Sequence, residues 1–251
     1  MTDATHGPAA PITWTVVIPV KGARAAKTRL GPAVADDARA MLARAFALDT
    51  IAAALAAGSV ARVIVVGDDP ELAGEAEFLA EPVDGPRSLG RAIAHGIAQA
   101  QAGFERLSRQ GGIAVLLGDL PALRSDELDA ALEAAARHPL AYVPDAEGTG
   151  TTLATAREGV PLDAHFGQDS AARHAAAGFA DLAAVHPGAI AAGLRRDVDT
   201  AAELREAVAL GVGARTSAVL RILPDLAEGS APRHPLDPST APAGADRKAA
   251  S

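Results

Sequence analysis

The sequence predicts an α/β protein built on a single doubly wound, mostly parallel sheet, and three observations carry that expectation. Short β-branched runs alternate with Ala- and Leu-rich stretches of helical length. Residues 14–20, 60–67 and 112–118 are nearly continuous apolar runs, as strands covered on both faces are. With 251 residues and 49% apolar content, the chain can bury one large core.

Residues 1–13 are small, polar and Pro-containing, and read as a loose leader. The first strand is WTVVIPV at 14–20. A helix is expected over 35–57, with Leu42, Ala45, Phe46, Asp49, Thr50 and Ala53 spread over several of its faces and Gly58 ending it. VARVIVVG at 60–67 is the second strand, 89–102 a helix, and GIAVLLG at 112–118 the third strong strand. Ser125-Asp126-Glu127 resembles an N-cap with an acidic first turn. Residues 140–144 and 151–155 read as strands around a turn over 145–150, and 170–177 as a helix. Asp199-Thr200 is expected to cap a helix over 201–210. From Pro224 onward there is almost no large apolar side chain, so 223–251 is expected to be a disordered tail. Nothing between reads as a linker, which leaves 14–222 as one domain.

Composition removes several function classes. Lys and Arg number 23 against 31 Asp and Glu, a formal charge of -8, which argues against a general nucleic-acid binder. The absence of Cys excludes disulfides, iron–sulfur clusters, thiolate zinc sites and a Cys nucleophile. Aromatic residues make up only 3%, too few for a base-stacking platform. No run of about 18 uncharged apolar residues occurs, so no membrane span is expected. The first residues lack a basic segment followed by an apolar one, so the cytoplasm is the expected location. Neither HExxH nor GxSxG occurs, and His95, His165 and His174 are weak signals.

In open α/β sheets ligands gather beyond the carboxyl ends of the strands. After the first strand stand Lys21, Gly22, Arg24, Lys27 and Arg29, a cluster of cations without an acid in an acidic protein. Backbone N–H groups near a glycine together with Lys and Arg heads suit a polyphosphate, although the sequence is not the GxxxxGK[ST] pattern. After the third strong strand, Gly118-Asp119-Leu120-Pro121 places a carboxylate where Mg²⁺ could bridge to phosphates; a turn cap is the other reading. Asp197 and Asp199 alternate, so in an extended chain they face one way, suiting a metal pair or, for Asp199, a helix cap. Two further segments rich in turn and cap residues follow the same logic: Asp145–Thr152 with its hydroxyls, and Phe166-Gly167-Gln168-Asp169-Ser170 before a helix, a place for an anion.

Five segments in this order, IPVKGARAAKTRL (18–30), GDLP (118–121), PDAEGTGTT (144–152), HFGQDSAARH (165–174) and DVDT (197–200), resemble the CofC/FbiD-type guanylyltransferases of coenzyme F-420 biosynthesis. The resemblance implies a nucleotidyltransferase fold of the glycosyltransferase-A type. It implies transfer of GMP from GTP to a three-carbon phospho-acid, phosphoenolpyruvate or 2-phospho-L-lactate, with release of pyrophosphate. By motif match, Thr152, Gly167 and Ser170 would hold the phospho-acid, and Lys21, Lys27 and Arg29 the GTP phosphates. Gly22, Leu89 and Gly90 would complete the nucleotide site, and Asp119 with Asp197 or Asp199 would hold Mg²⁺. Lys21, Lys27, Arg29 and Asp119 would then carry catalysis. The product would pass to a downstream transferase. One stretch departs from the family pattern: Ser88-Leu89-Gly90-Arg91-Ala92 stands where the family shows Gly-Leu-Asn-x-Ala, so the asparagine amide is missing. The residues alone leave open another nucleotidyltransferase of this fold, molybdopterin-type or sugar-phosphate, and a non-catalytic nucleotide-binding domain.

Overall fold

All six residues of β1, Trp14–Pro19, are buried, as the unbroken apolar run requires of a central strand. The computed structural model describes residues 12–20, 36–107 and 111–223. Around β1 it builds a seven-stranded sheet in the order β3-β2-β1-β4-β6-β5-β7. The strands are β2 (Val60–Gly67), β3 (Glu77–Ala80), β4 (Gly112–Leu116), β5 (Leu140–Pro144), β6 (Thr151–Ala156) and β7 (Ala180–Asp181). β1 pairs in parallel with β2 and β4, β2 with β3, and β5 with β7. β6 alone among these runs antiparallel, to both β4 and β5.

Residue alternation divides β1 between two cores. Val16 and Ile18 join a cluster with Ile51 and Ala54 of α1 (Asp36–Ala56) and Leu128 and Leu132 of α3 (Ser125–Ala135). Val17 joins the opposite cluster with Ile93 and Ile97 of α2 (Leu89–Leu107) and Ala171 of α4 (Ser170–Ala176). Helices therefore cover both faces, as the doubly wound expectation requires. A third cluster joins the outer side of α1, through Leu42 and Phe46, to Leu204 and Leu220. Those two residues belong to α7 (Ala201–Leu210) and α8 (Ala214–Ile222); short helices α5 (Leu182–Val185) and α6 (Ala192–Arg195) precede them. No helix among the described residues is long and apolar enough to cross a membrane.

One cap differs from expectation, and in the other Thr200 takes the role expected of the Asp199-Thr200 pair. Ser125 is the first residue of α3, not its cap; Arg124 precedes it, and the Glu127 carboxylate accepts the Arg124 N–H at 3.2 Å. Thr200 caps α7 reciprocally: its Oγ1 accepts the Glu203 N–H, and Glu203 Oε2 accepts the N–H groups of Asp199 and Thr200, both at 2.7 Å. The Asp199 carboxylate is thus not the cap.

Candidate active site at the carboxyl edge

The strand order reverses between β1 and β4, and the open-sheet rule puts a ligand in the crevice there. β1 leaves the sheet at Val20, whose N–H donates to the Val66 carbonyl at 2.8 Å. Glycines flank that exit: a Cβ at Gly67 would lie 2.9 Å from the Val20 carbonyl oxygen, and one at Gly118 would lie 3.2 Å from that of Pro19. Both neighbours must be small for the backbone to leave here. The segment that follows, with Lys21, Gly22, Lys27 and Arg29, lies outside the described residues.

Gly118-Asp119-Leu120-Pro121 crosses the edge beside β1 and is held from several sides. The Thr50 hydroxyl of α1 accepts the Leu120 N–H at 3.1 Å, and the Pro121 carbonyl accepts the Gly213 N–H at 2.8 Å. The Asp119 carbonyl accepts the N–H of Val198 at 3.1 Å. One backbone bond thus brings Asp119 against the middle residue of Asp197-Val198-Asp199, a segment far from it along the chain. All three acids are half-buried, and Asp119 Oδ1 is fully covered. Carboxylates are the hard oxygen donors that a divalent cation takes, and this backbone bond sets three of them on neighbouring segments, although their oxygens do not form a group within 4.8 Å of one another.

A second acidic group overlaps it. Single oxygens of Asp145, Glu147 and Asp197 lie within 4.8 Å of one another. Asp145, however, accepts the N–H groups of Thr149 and Gly150 at 2.9 and 2.7 Å, which folds its own turn. Glu147 pairs at 2.6 Å with Arg196, itself only 9% exposed. Asp197 is the member common to both groups, and the other two serve the turn. Arg195 reinforces that turn from behind, with Nη2 donating to the Asp145 carbonyl at 2.6 Å and Nε to Pro144 at 3.1 Å. Sequence reasoning missed Arg195; its one signal was an adjacent Arg pair directly before the acids.

Because β6 is antiparallel, it starts at this same edge. The Leu117 N–H donates to the Thr152 carbonyl at 2.9 Å, so Thr152 adjoins the Asp119 segment. Its side chain is buried, with the hydroxyl 3.4 Å from the Val143 carbonyl. Gly167 is exposed and has φ 114°, a conformation that favours glycine. Ser170 opens α4 and is 1% exposed. The Ser170 N–H donates to Gly167, and the Ala171 N–H to Thr149, both at 3.2 Å. The first turn of α4 is therefore stitched to the turn that begins at Asp145. On the other side of β1, α2 starts at Leu89, and Ser88 Oγ accepts the Arg91 N–H at 3.3 Å as its cap. A Cβ at Gly90 would meet nothing within 4 Å, so open space lies where the family's asparagine would project.

His174 is wholly buried under Tyr142, Phe166 and Phe179. Burial pushes its imidazole down to about 4, with the charges of His165 and Arg173 adding to the fall, while the Ser170 carbonyl and Asp163 oppose it. The folded protein thus binds this proton less readily than the unfolded chain. Its contribution to stability is complete above about 6.5 and is lost as pH falls towards about 4. The loss is at most about 1.4 kcal/mol per pH unit in that window. Thermal melts at pH 7.5 and 5 should show a larger drop for the wild type than for His174→Phe; equal drops would contradict this.

A family model described as "Guanylyl transferase CofC like" matches residues 14–227. The phosphoenolpyruvate guanylyltransferase of Thermomonospora curvata is 46% identical over 224 residues, covering 88% of this chain and 94% of that protein. The enzyme of the same name from Salinispora arenicola is 48% identical over 209 residues, covering 81% and 92%. Among solved structures, one from Desulfovibrio desulfuricans G20, described as a nucleotide-diphospho-sugar transferase, superposes with TM-score 0.58 at 20% identity. It covers 86% of this chain and 97% of that one, a likeness of fold alone. By sequence over residues 14–227, the chain belongs to the CofC-like guanylyl transferase family.

Proposed function

We propose that the protein is a cytoplasmic phosphoenolpyruvate guanylyltransferase of coenzyme F-420 biosynthesis, acting through residues 14–222. The observation that carries this reading is the identity, near half over most of both chains, to proteins bearing that one activity. The backbone bond that sets the Asp119 segment beside Asp197-Val198-Asp199 supports it, since carboxylates on these two segments are the kind of donor Mg²⁺ takes.

In this reading a phosphate oxygen of phosphoenolpyruvate attacks the α-phosphorus of GTP, the α–β bond breaks and pyrophosphate leaves. A phosphate monoester with a second pKa of about 6 is mostly ionised at neutral pH, so no side chain need remove a proton. The obstacle is repulsion: two unit charges about 4 Å apart cost about 4 kcal/mol at an effective dielectric near 20. Lys21, Lys27 and Arg29 offset that cost at the triphosphate, with Gly22, Leu89 and Gly90 completing the nucleotide site. Thr152, Gly167 and Ser170 orient the phospho-acid on the β6–α4 side. Asp119, Asp197 and Asp199 would hold Mg²⁺, which when bound neutralises phosphate charge and eases departure of pyrophosphate. The product would pass to a downstream transferase.

Pyrophosphate release should be measured with GTP, Mg²⁺ and a panel of acceptors. Phosphoenolpyruvate is expected to exceed 2-phospho-L-lactate, 3-phospho-D-glycerate, a sugar 1-phosphate and molybdopterin. Preference for a sugar 1-phosphate or molybdopterin, or no release at all, would overturn the reading.

A further inference from the structure

We propose that His174 is a positioning residue for the acceptor side of the site, one imidazole fixing the relative placement of the segments that carry Thr152, Gly167 and Ser170. The inference rests on the acceptor reading given above, but its geometry stands independently.

The ring bonds to three different segments. Its Nε2 lies 3.0 Å from the backbone N–H of His165, in the stretch leading to Gly167. Its Nδ1 lies 2.9 Å from the Ser170 carbonyl and 3.0 Å from the Thr151 hydroxyl at the start of β6. These partners dictate the tautomer. A backbone N–H can only donate, so Nε2 must be bare. A carbonyl can only accept, so Nδ1 must carry the hydrogen. Neutral imidazole with the proton on Nδ1 satisfies both, whereas the imidazolium would set two donors against each other at His165.

The enclosure holds the ring still. Tyr142 of β5 stacks on it with centroids 5.7 Å apart, Phe179 meets it at 4.8 Å and Phe166 edge-on at 5.5 Å. The ionisable groups facing it are His165 and Asp163 from the preceding segment and Arg173 from α4. Asp181 of β7 acts on Tyr142 behind it. None supplies a second bond to the ring nitrogens among the described residues. Ser170 opens a helix of only seven residues. A slight rotation of that short helix would move Ser170 relative to Thr152.

Three variants separate positioning from bulk. His174→Phe keeps an aromatic ring but no bond. His174→Gln can still accept from His165, and His174→Asn can still donate to Ser170. Steady-state kinetics with GTP, Mg²⁺ and phosphoenolpyruvate, on variants whose circular dichroism matches the wild type, should show a split. His174→Phe should raise KM for phosphoenolpyruvate tenfold or more with KM for GTP within twofold, and Gln or Asn should recover part of the loss. Equal changes in both KM values, or none, would overturn the proposal. ¹⁵N spectra of the imidazole in the wild type give a readout independent of turnover. At pH 7 they should show a protonated Nδ1 and a bare Nε2; the opposite tautomer overturns the proposal even if the wild type proves to use another acceptor. Failure of the wild type to turn over phosphoenolpyruvate, with this tautomer present, would fault the acceptor reading alone.

Discussion

Replacing Asp119 by alanine is expected to lower turnover by on the order of a thousandfold while the protein stays folded. The contact that seats the Asp197–Asp199 segment is made by the Asp119 backbone carbonyl, not by its side chain, so truncation spares it. The neighbouring backbone is held by Thr50 and Gly213, also untouched. What is removed is a carboxylate at the strand-order reversal, where phosphate charge would concentrate. The check is pyrophosphate release in saturating Mg²⁺ alongside a thermal melt. Turnover within tenfold of wild type would show that the carboxylate holds nothing needed for the reaction.

The second large effect concerns stability. Asp49 lies inside α1, is 7% exposed, and accepts the N–H groups of Arg215 and Thr216 at 3.0 and 2.8 Å. It is therefore the N-terminal cap of α8, supplied from 166 and 167 positions away. Truncation to alanine leaves two N–H groups of the first turn without an acceptor and empties space beside Gly213. Cap loss and buried, charge-assisted bonds together predict a loss of about 2–4 kcal/mol. For a domain of this size that is a fall in melting temperature of about 4–16 °C. Urea unfolding of Asp49→Ala would measure it, and a loss under about 1 kcal/mol would remove the capping role.

These two acids mark what a sequence can and cannot disclose. The strands of β1, β2 and β4 were legible because both faces are covered, and continuous apolar runs announce that. The turn read over 145–150 already implied that β5 and β6 run antiparallel; what such short stretches do not disclose is that β6, not β5, lies beside β4. β3 and β7 are edge elements of four and two residues, too short for any period to register. The helix α8 went unread because its sequence, ARTSAVLRI, has little amphipathic pattern, and the residue that caps it, Asp49, is in sequence only one more polar residue in α1.

The candidate site divides the same way. Asp119 was picked out as a candidate by its place after a strand, and Asp197 and Asp199 by their alternation. The Val198–Asp119 bond joining them was not. His174 read as a weak signal because its partners are 4, 9 and 23 positions away, and spacing alone cannot tell a surface histidine from one holding three segments.

The most direct measurement is phosphorus NMR of a reaction holding GTP, phosphoenolpyruvate, Mg²⁺ and the purified protein. A new pair of coupled diphosphate resonances, one from the guanylyl phosphorus and one from the phosphoenolpyruvate phosphorus, should grow with pyrophosphate in equal amounts. Formation of free GMP and pyrophosphate without a new phosphorus–oxygen–phosphorus linkage, or persistence of intact GTP, would contradict the account.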